Sequence, residues 1–149
     1  MQPHLVLLCR DCETQADRDA AFAIRLAVFV DEQRVPPELE PDEYDTDALH
    51  LLAVNEADGQ TIGTARLVDK GDGVFKIGRV AVKKSWRGWG VGAALMRRAL
   101  NRARASGATT VILDAQVPVI GFYERLGFVA EGPIFDDAGI PHRRMTLAL

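Results

Sequence analysis

Three glycines and an arginine fall within six residues, Arg87-Gly88-Trp89-Gly90-Val91-Gly92, directly before the good helix formers Ala93-Ala94-Leu95-Met96. Glycine weakens regular structure, so this density ahead of a helix calls for a reason. At a helix N-terminus the unpaired backbone N–H groups and the positive end of the helix dipole converge. Glycines let a phosphate rest directly on those amides, and Arg87 can add a charged, bidentate contact. The chemistry this pattern suits is the binding of an anion, a pyrophosphate above all. A plain glycine-rich turn has the same composition, and one G-x-G-x-G does not decide between them. A P-loop is excluded, because no Gly-Lys-Ser/Thr closes the segment. A dinucleotide fingerprint fits poorly: it needs a parallel βαβ unit and an acidic residue about 20 positions on, whereas Asp114 comes late and the preceding strands read as antiparallel.

Other reactive residue types are sparse. Cys9 and Cys12 stand in a C-x-x-C spacing with no second pair, and His4, His50 and His142 have no matching ligand spacing, so no metal is expected. Cys9 reads as a core residue at the end of a strand.

The elements that must position the loop alternate in type. Residues 4–10 read as a strand, and 15–31 as a helix with Thr14 as its cap. Strands follow at 48–54, 61–69 and 74–83, joined by tight turns at Asp58-Gly59 and Gly71-Asp72-Gly73 and therefore antiparallel. A helix is expected from Gly90 to about Ser106, with Gly107 as its stop. A buried strand at 109–115, a short helix from Val119 to Leu126 ending at Gly127, and a closing strand at 143–149 complete the chain. The class is α+β, with a mixed, mainly antiparallel central sheet flanked by helices.

The chain has 149 residues, 48% of them hydrophobic and 26% charged, with no shift in composition along it, which predicts a single domain over 1–149. A formal charge of -3 gives no basic field for nucleic acid. The apolar run His4-Leu5-Val6-Leu7-Leu8-Cys9 is too short to span a bilayer and lacks a basic lead-in, so a cytoplasmic protein with no membrane partner is expected.

The segment 80–96, VAVKKSWRGWGVGAALM, resembles the cofactor motif of the GNAT (GCN5-related) N-acetyltransferases, Arg/Gln-x-x-Gly-x-Gly/Ala after a strand, carried here by Arg87, Gly90 and Gly92. The segment 116–128, QVPVIGFYERLGF, is similar to the family's second cofactor segment, with Phe122-Tyr123 on a short helix. Within the family the chain most resembles a small bacterial subgroup of acyltransferases. The resemblance implies the GNAT acyl-CoA N-acyltransferase fold, acetyl-CoA as cosubstrate, and direct transfer of its acetyl group to a primary amine. It also implies that Val80, Ala81 and Val82 offer backbone groups to the pantetheine arm, and that Gly88, Trp89, Gly90, Val91, Gly92 and Ala93 surround the phosphates beside Arg87. Tyr123 occupies the position of the family's thiolate-protonating tyrosine; an ordinary tyrosine keeps its proton at neutral pH and can donate it. Gln116 stands where many members carry an Asn.

The transfer also needs a base for the acceptor amine. Glu32, Glu43, His50 and His142 are the candidates, and the histidines titrate nearest neutrality. The turn-rich loop 135–142 is expected to hold His142 over the cleft. The segment 25–50 is expected to select the acceptor, a small molecule or peptide amine, with Arg25, Phe29, Glu32, Gln33 and His50 as contacts. Its acidic residues, Glu38 to Asp47, would favour a cationic amine if they face the cleft. The pattern Arg25, Phe29, Glu40, Asp42, Asp45 and Ala65-Arg66 also resembles the acyl-homoserine-lactone synthases, which use an acylated carrier protein and S-adenosylmethionine. A non-catalytic acetyl-CoA-binding module is a third reading. A homodimer is compatible with the family resemblance.

Overall fold

The computed structural model describes residues 3–149. Its seven strands form one sheet in the order β1-β2-β3-β4-β5-β7-β6. In chain order these are β1 (Leu7–Asp11), β2 (Leu49–Asn55), β3 (Gln60–Asp69), β4 (Val74–Val82), β5 (Thr110–Gln116), β6 (Val129–Asp137) and β7 (Ile140–Ala148). Helix α1 (Gln15–Arg25) follows β1, α2 (Val91–Ala105) joins β4 to β5, and the short α3 (Ile120–Glu124) follows β5. The architecture is the expected mixed, mainly antiparallel one, since only β4 and β5 pair in parallel.

Local chemistry explains most boundaries. Thr14 caps α1 through its side chain, and the Asp17 carboxylate returns the bond in a capping box. Gly107 takes φ +85° just past α2, where a side chain would be strained. Both α1 and α2 pack on β3, which is buried along most of its length, as a strand covered on two faces must be. Gly63 on β3 lets α2 approach: a Cβ there would lie 3.1 Å from the Ala81 carbonyl oxygen and from Leu95, and 3.2 Å from Val91.

Three expectations need correction. The helix read over 15–31 stops being α-helical at Arg25, and Leu26–Glu32 form a wider π-helical turn. Val28 and Phe29 there, with Ile24 of α1, pack on Ala81, so tertiary contact fixes a winding that the apolar period cannot specify. Residues 129–137 form a strand that the reading leaves out, because β6 is an edge strand with hardly a buried position and so no alternating pattern. The loop expected over 135–142 is therefore a tight hairpin, with β7 beginning at Ile140 rather than at residue 143.

Candidate active site

The parallel seam between β4 and β5 contains only three pairs, Val74–Thr110, Phe75–Val111 and Lys76–Ile112. Beyond Lys76 the strands diverge, and the main chain of residues 77–82 has no ladder partner on that edge. A β-bulge on the other edge of β4 accompanies the parting. The β3–β4 register shifts by one between Thr64–Ala81 and Arg66–Gly78, and Arg79 sits there at φ +51°, a left-handed conformation uncommon outside glycine. The Arg79 guanidinium is anchored by the Glu40 carbonyl oxygen, at 2.8 Å from Nη2.

The divergence opens a cleft of about 740 Å³. Along one wall run Val80, Ala81 and Val82, and at its end lie Arg87, Gly88, Gly90, Val91, Gly92 and Ala93. Gly88 and Gly90 hold φ +83° and +80°, and a Cβ at either would meet nothing within 4 Å. That open space lies beside the first turn of a fifteen-residue helix that no side chain caps. Such a hollow, edged by unpaired N–H groups, fits an anion. Arg87 donates from Nε to the Val82 carbonyl at 3.1 Å and pairs through Nη2 with Glu32 at 2.9 Å. Trp86 is buried and lines the cleft, whereas Trp89, 44% exposed, packs edge-on against it and does not reach the cleft.

The opposite wall carries Gln116, Phe122, Tyr123 and His142. Tyr123 rests edge-on against Phe122 and Phe128, at ring separations of 5.0 and 6.2 Å. Burial among these rings pushes the phenol up to about 12. His142 Nδ1 lies 2.7 Å from the Ile140 carbonyl oxygen, which can only accept, so Nδ1 carries hydrogen and Nε2 of the neutral ring keeps its lone pair. The ring stacks on Phe135 at 6.0 Å. Gln116 exchanges two amide hydrogen bonds with Gln33, 2.9 Å and 3.3 Å, tying the end of β5 to the π-helical turn. Phe29 and Gln33 line the cleft on that side.

Several expected contacts lie elsewhere. Arg25 is 1% exposed and is spent on Glu40, at 2.5 Å, and Asp45, at 2.8 Å, away from the cleft lining. His50 is buried on β2 with Nε2 2.9 Å from the Asp45 carbonyl oxygen; it is a packed core residue and not an acceptor contact. Glu32 meets Arg87 at the glycine-loop end and does not line the cleft, and neither does Glu43. Of the acidic run only Glu40 lines the cleft, and its Oε1 is held by Arg25 and, at 3.5 Å, by Arg79, while its Oε2 is buried without a hydrogen-bond partner. Asp42 is held by Arg66 at 2.6 Å and Arg79 at 3.3 Å, while Arg66 also reaches Asp45 at 3.0 Å. Burial opposes ionisation of Asp45, but the hydrogen bonds and charges of Arg25 and Arg66 outweigh it and hold its carboxyl below the usual range.

Residues that the sequence reading does not assign to the site also form the walls: Lys76, Arg79 and Asp137, with Glu40 and Arg66, named there only in the lactone-synthase pattern, and Asp114, named only against a dinucleotide fingerprint. The available signal was a pair of cations, Lys76 and Arg79, inside an otherwise apolar strand. Among the described residues no group of three or more His, Cys, Asp or Glu is placed to hold a metal, and no helix is long and apolar enough to cross a membrane. Cys9 and Cys12 are free and half-buried, and burial raises both thiols, Cys12 to about 11.

Comparison with known proteins agrees with this geometry. A family model described as an acetyltransferase (GNAT) domain matches residues 12–149. The uncharacterized N-acetyltransferase YjcF of Bacillus subtilis is 40% identical over 127 residues, covering 84% of this chain and 88% of its own. An acyl-CoA N-acyltransferase from Pseudomonas aeruginosa is 36% identical with a TM-score of 0.83, covering 97% of this chain and 100% of that one. A candidate N-acetyltransferase from Lactobacillus plantarum is 31% identical with a TM-score of 0.88, at coverages of 96% and 98%. The chain belongs to the GNAT acetyltransferase family.

Proposed function

We propose that the protein transfers an acetyl group from acetyl-CoA directly to a primary amine of a small molecule or peptide. One observation carries the reading: a single cleft joins an anion-binding hollow, an unpaired strand edge, a protonated phenol and an imidazole with a free nitrogen. The open space at Gly88 and Gly90 fits a pyrophosphate, and the free edge of 77–82 fits an amide-bearing arm, so the residues present suit acetyl-CoA. When bound, it supplies an activated acetyl thioester.

The chain's own groups then divide the work. Backbone N–H groups of the 80–82 edge are donors for the carbonyl oxygen as it gains charge. His142 Nε2 takes a proton from the incoming ammonium so that nitrogen can attack. The C–N bond forms as C–S breaks, Tyr123 gives its proton to the departing sulfur, and the second proton shed by the new amide nitrogen restores the phenol. A phenol held up at about 12 stays protonated through the neutral range and so remains ready to donate.

Thermal unfolding with increasing acetyl-CoA tests the reading, run beside Gly90→Glu, whose side chain would occupy the hollow. Ligand at a hundred times its Kd stabilises a folded protein by about 2.7 kcal/mol. The wild type is expected to show that increment and the variant to lack it, whatever the variant's own starting Tm. No increment at saturating acetyl-CoA, or no thiol release with any amine, overturns the reading.

A further inference from the structure

Beside the main cleft, at the seam end of β4, lies a polar annex of about 280 Å³. It shares Leu39, Arg66, Lys76, Arg79 and Asp137 with the cleft, so the two spaces adjoin there. Lys76 and Val82 are six residues apart on β4, which places the annex about 20 Å from the glycine loop by strand rise. It therefore belongs to the acceptor's side of the transfer rather than to the phosphates.

Its charge is cationic. Arg66, Lys70, Lys76 and Arg79 face two carboxylates, Asp42 and Asp137. Asp42 is already shared by Arg66 and Arg79. Lys76 turns to Asp114 at 2.9 Å, and that carboxylate is also taken by Arg144 at 2.6 Å. Lys70 has no carboxylate within ion-pair distance among the described residues, and its ammonium lies 4.2 Å from the centroid of the Tyr44 ring. Arg66 is 6% exposed and its Nε is buried without a hydrogen-bond partner. Burial, together with the nearby guanidiniums of Arg66 and Arg25, weakens the hold of Arg79 on its proton. An exposed ammonium without a carboxylate partner, beside crowded guanidiniums, is stabilised by an anion and repels a polyamine.

Resting on the acetyl-transfer reading, we propose that the annex anchors a carboxylate on the acceptor, and that the acceptor class is small amino-carboxylic acids. The carboxylate meets the Lys70 ammonium in the field of the Arg66 and Arg79 guanidiniums, and the amine is left pointing back along the cleft toward His142 and Tyr123. The acidic loop, whose residues alone suggest a cationic acceptor, serves instead to hold the arginines of this pocket in place.

The test pairs amino acids and 4-aminobutyrate with the same amines lacking the carboxylate, and adds 1,4-diaminobutane. Thiol release gives kcat/KM, and saturation-transfer NMR on the CoA-loaded protein gives binding without turnover. At least one carboxylated amine is expected to exceed its decarboxylated twin by at least about tenfold, the scale of a charge-assisted hydrogen bond. Lys70 is exposed, so Lys70→Glu should fold normally and keep the wild-type acetyl-CoA increment in Tm while cutting the preference by about fivefold or more. Equal or better use of the decarboxylated amine or the diamine, an unchanged preference in Lys70→Glu, or no carboxylated amine either bound or acetylated overturns the proposal. Loss of the acetyl-CoA increment in the wild type instead overturns the acetyl-transfer reading, whichever amine binds.

Discussion

The phenol of Tyr123 makes no hydrogen bond to the protein among the described residues, although its ring is held by Phe122 and Phe128. Its hydroxyl therefore contributes little to folding and is free for chemistry. Tyr123→Phe is expected to lower kcat by about a hundredfold or more while moving stability by less than about 0.5 kcal/mol. Parallel assays of turnover and denaturant unfolding check both halves. The raised phenol also has a sign in pH. Its folded value lies above its unfolded one of about 10, so its contribution to stability is complete below about pH 10 and is lost as pH rises toward about 12. His142→Ala should lower turnover without weakening acetyl-CoA binding, and a variant with unchanged kcat on its true acceptor would remove the base assigned here. At this scale the sequence was partly legible. Tyr123, Gln116 and the glycines sit in motifs that name them, whereas Arg66, Arg79 and Lys76 line the cleft through the packing of β3 and β4, which no local motif marks. Nor does the sequence of His50 or Arg25 reveal that each is consumed by Asp45.

Two irregular elements make the site. The π-helical turn Leu26–Glu32 carries Phe29 and leads to Gln33, and the bulge at Arg79 accompanies the parting of β4 from β5. The bulge is tied to the buried ion network around Arg25 through Glu40, which pairs with Arg25 and whose carbonyl oxygen anchors Arg79. Removing one partner of a buried pair leaves the other charge unpaired, at a cost of about 3–5 kcal/mol. Arg25→Met is thus expected to destabilise by that amount, measured by urea unfolding, because it leaves Glu40, 2% exposed, with only the longer 3.5 Å pairing to Arg79. It should also impair acceptor use more than acetyl-CoA binding, since Glu40 supplies the carbonyl that anchors Arg79. Regular elements were legible because glycine turns and apolar periods are local signals. The π turn and β6 were not: one is imposed by packing on Ala81, and the other has an exposed surface that erases the alternation.

Across the whole molecule, the carboxylates that hold the fold together titrate low. Burial pushes Asp42, Asp45 and Asp114 upward, but their cationic partners win and leave all three below the ordinary value. Their contribution is present above about pH 4, the unfolded range, and is lost as pH falls through the lowered folded values. Acid unfolding of the wild type should therefore be steeper than that of Lys76→Met, which has one such pairing fewer. Close approach of α2 to the sheet sets a second limit. Gly63→Ala forces a methyl against a backbone oxygen that cannot yield, so a loss of about 1–2 kcal/mol is expected in thermal unfolding. The three-pair seam between β4 and β5 has a mechanical meaning as well. It divides the sheet into two plates, β1–β4 and β5–β7, with β1 and β6 on their outer edges. Handles on those two strands would load this short seam in series with the full ladders on either side. Under an optical trap the plates are expected to separate there first, at a force that rises when acetyl-CoA bridges them, so that a ligand would be read as added tensile strength.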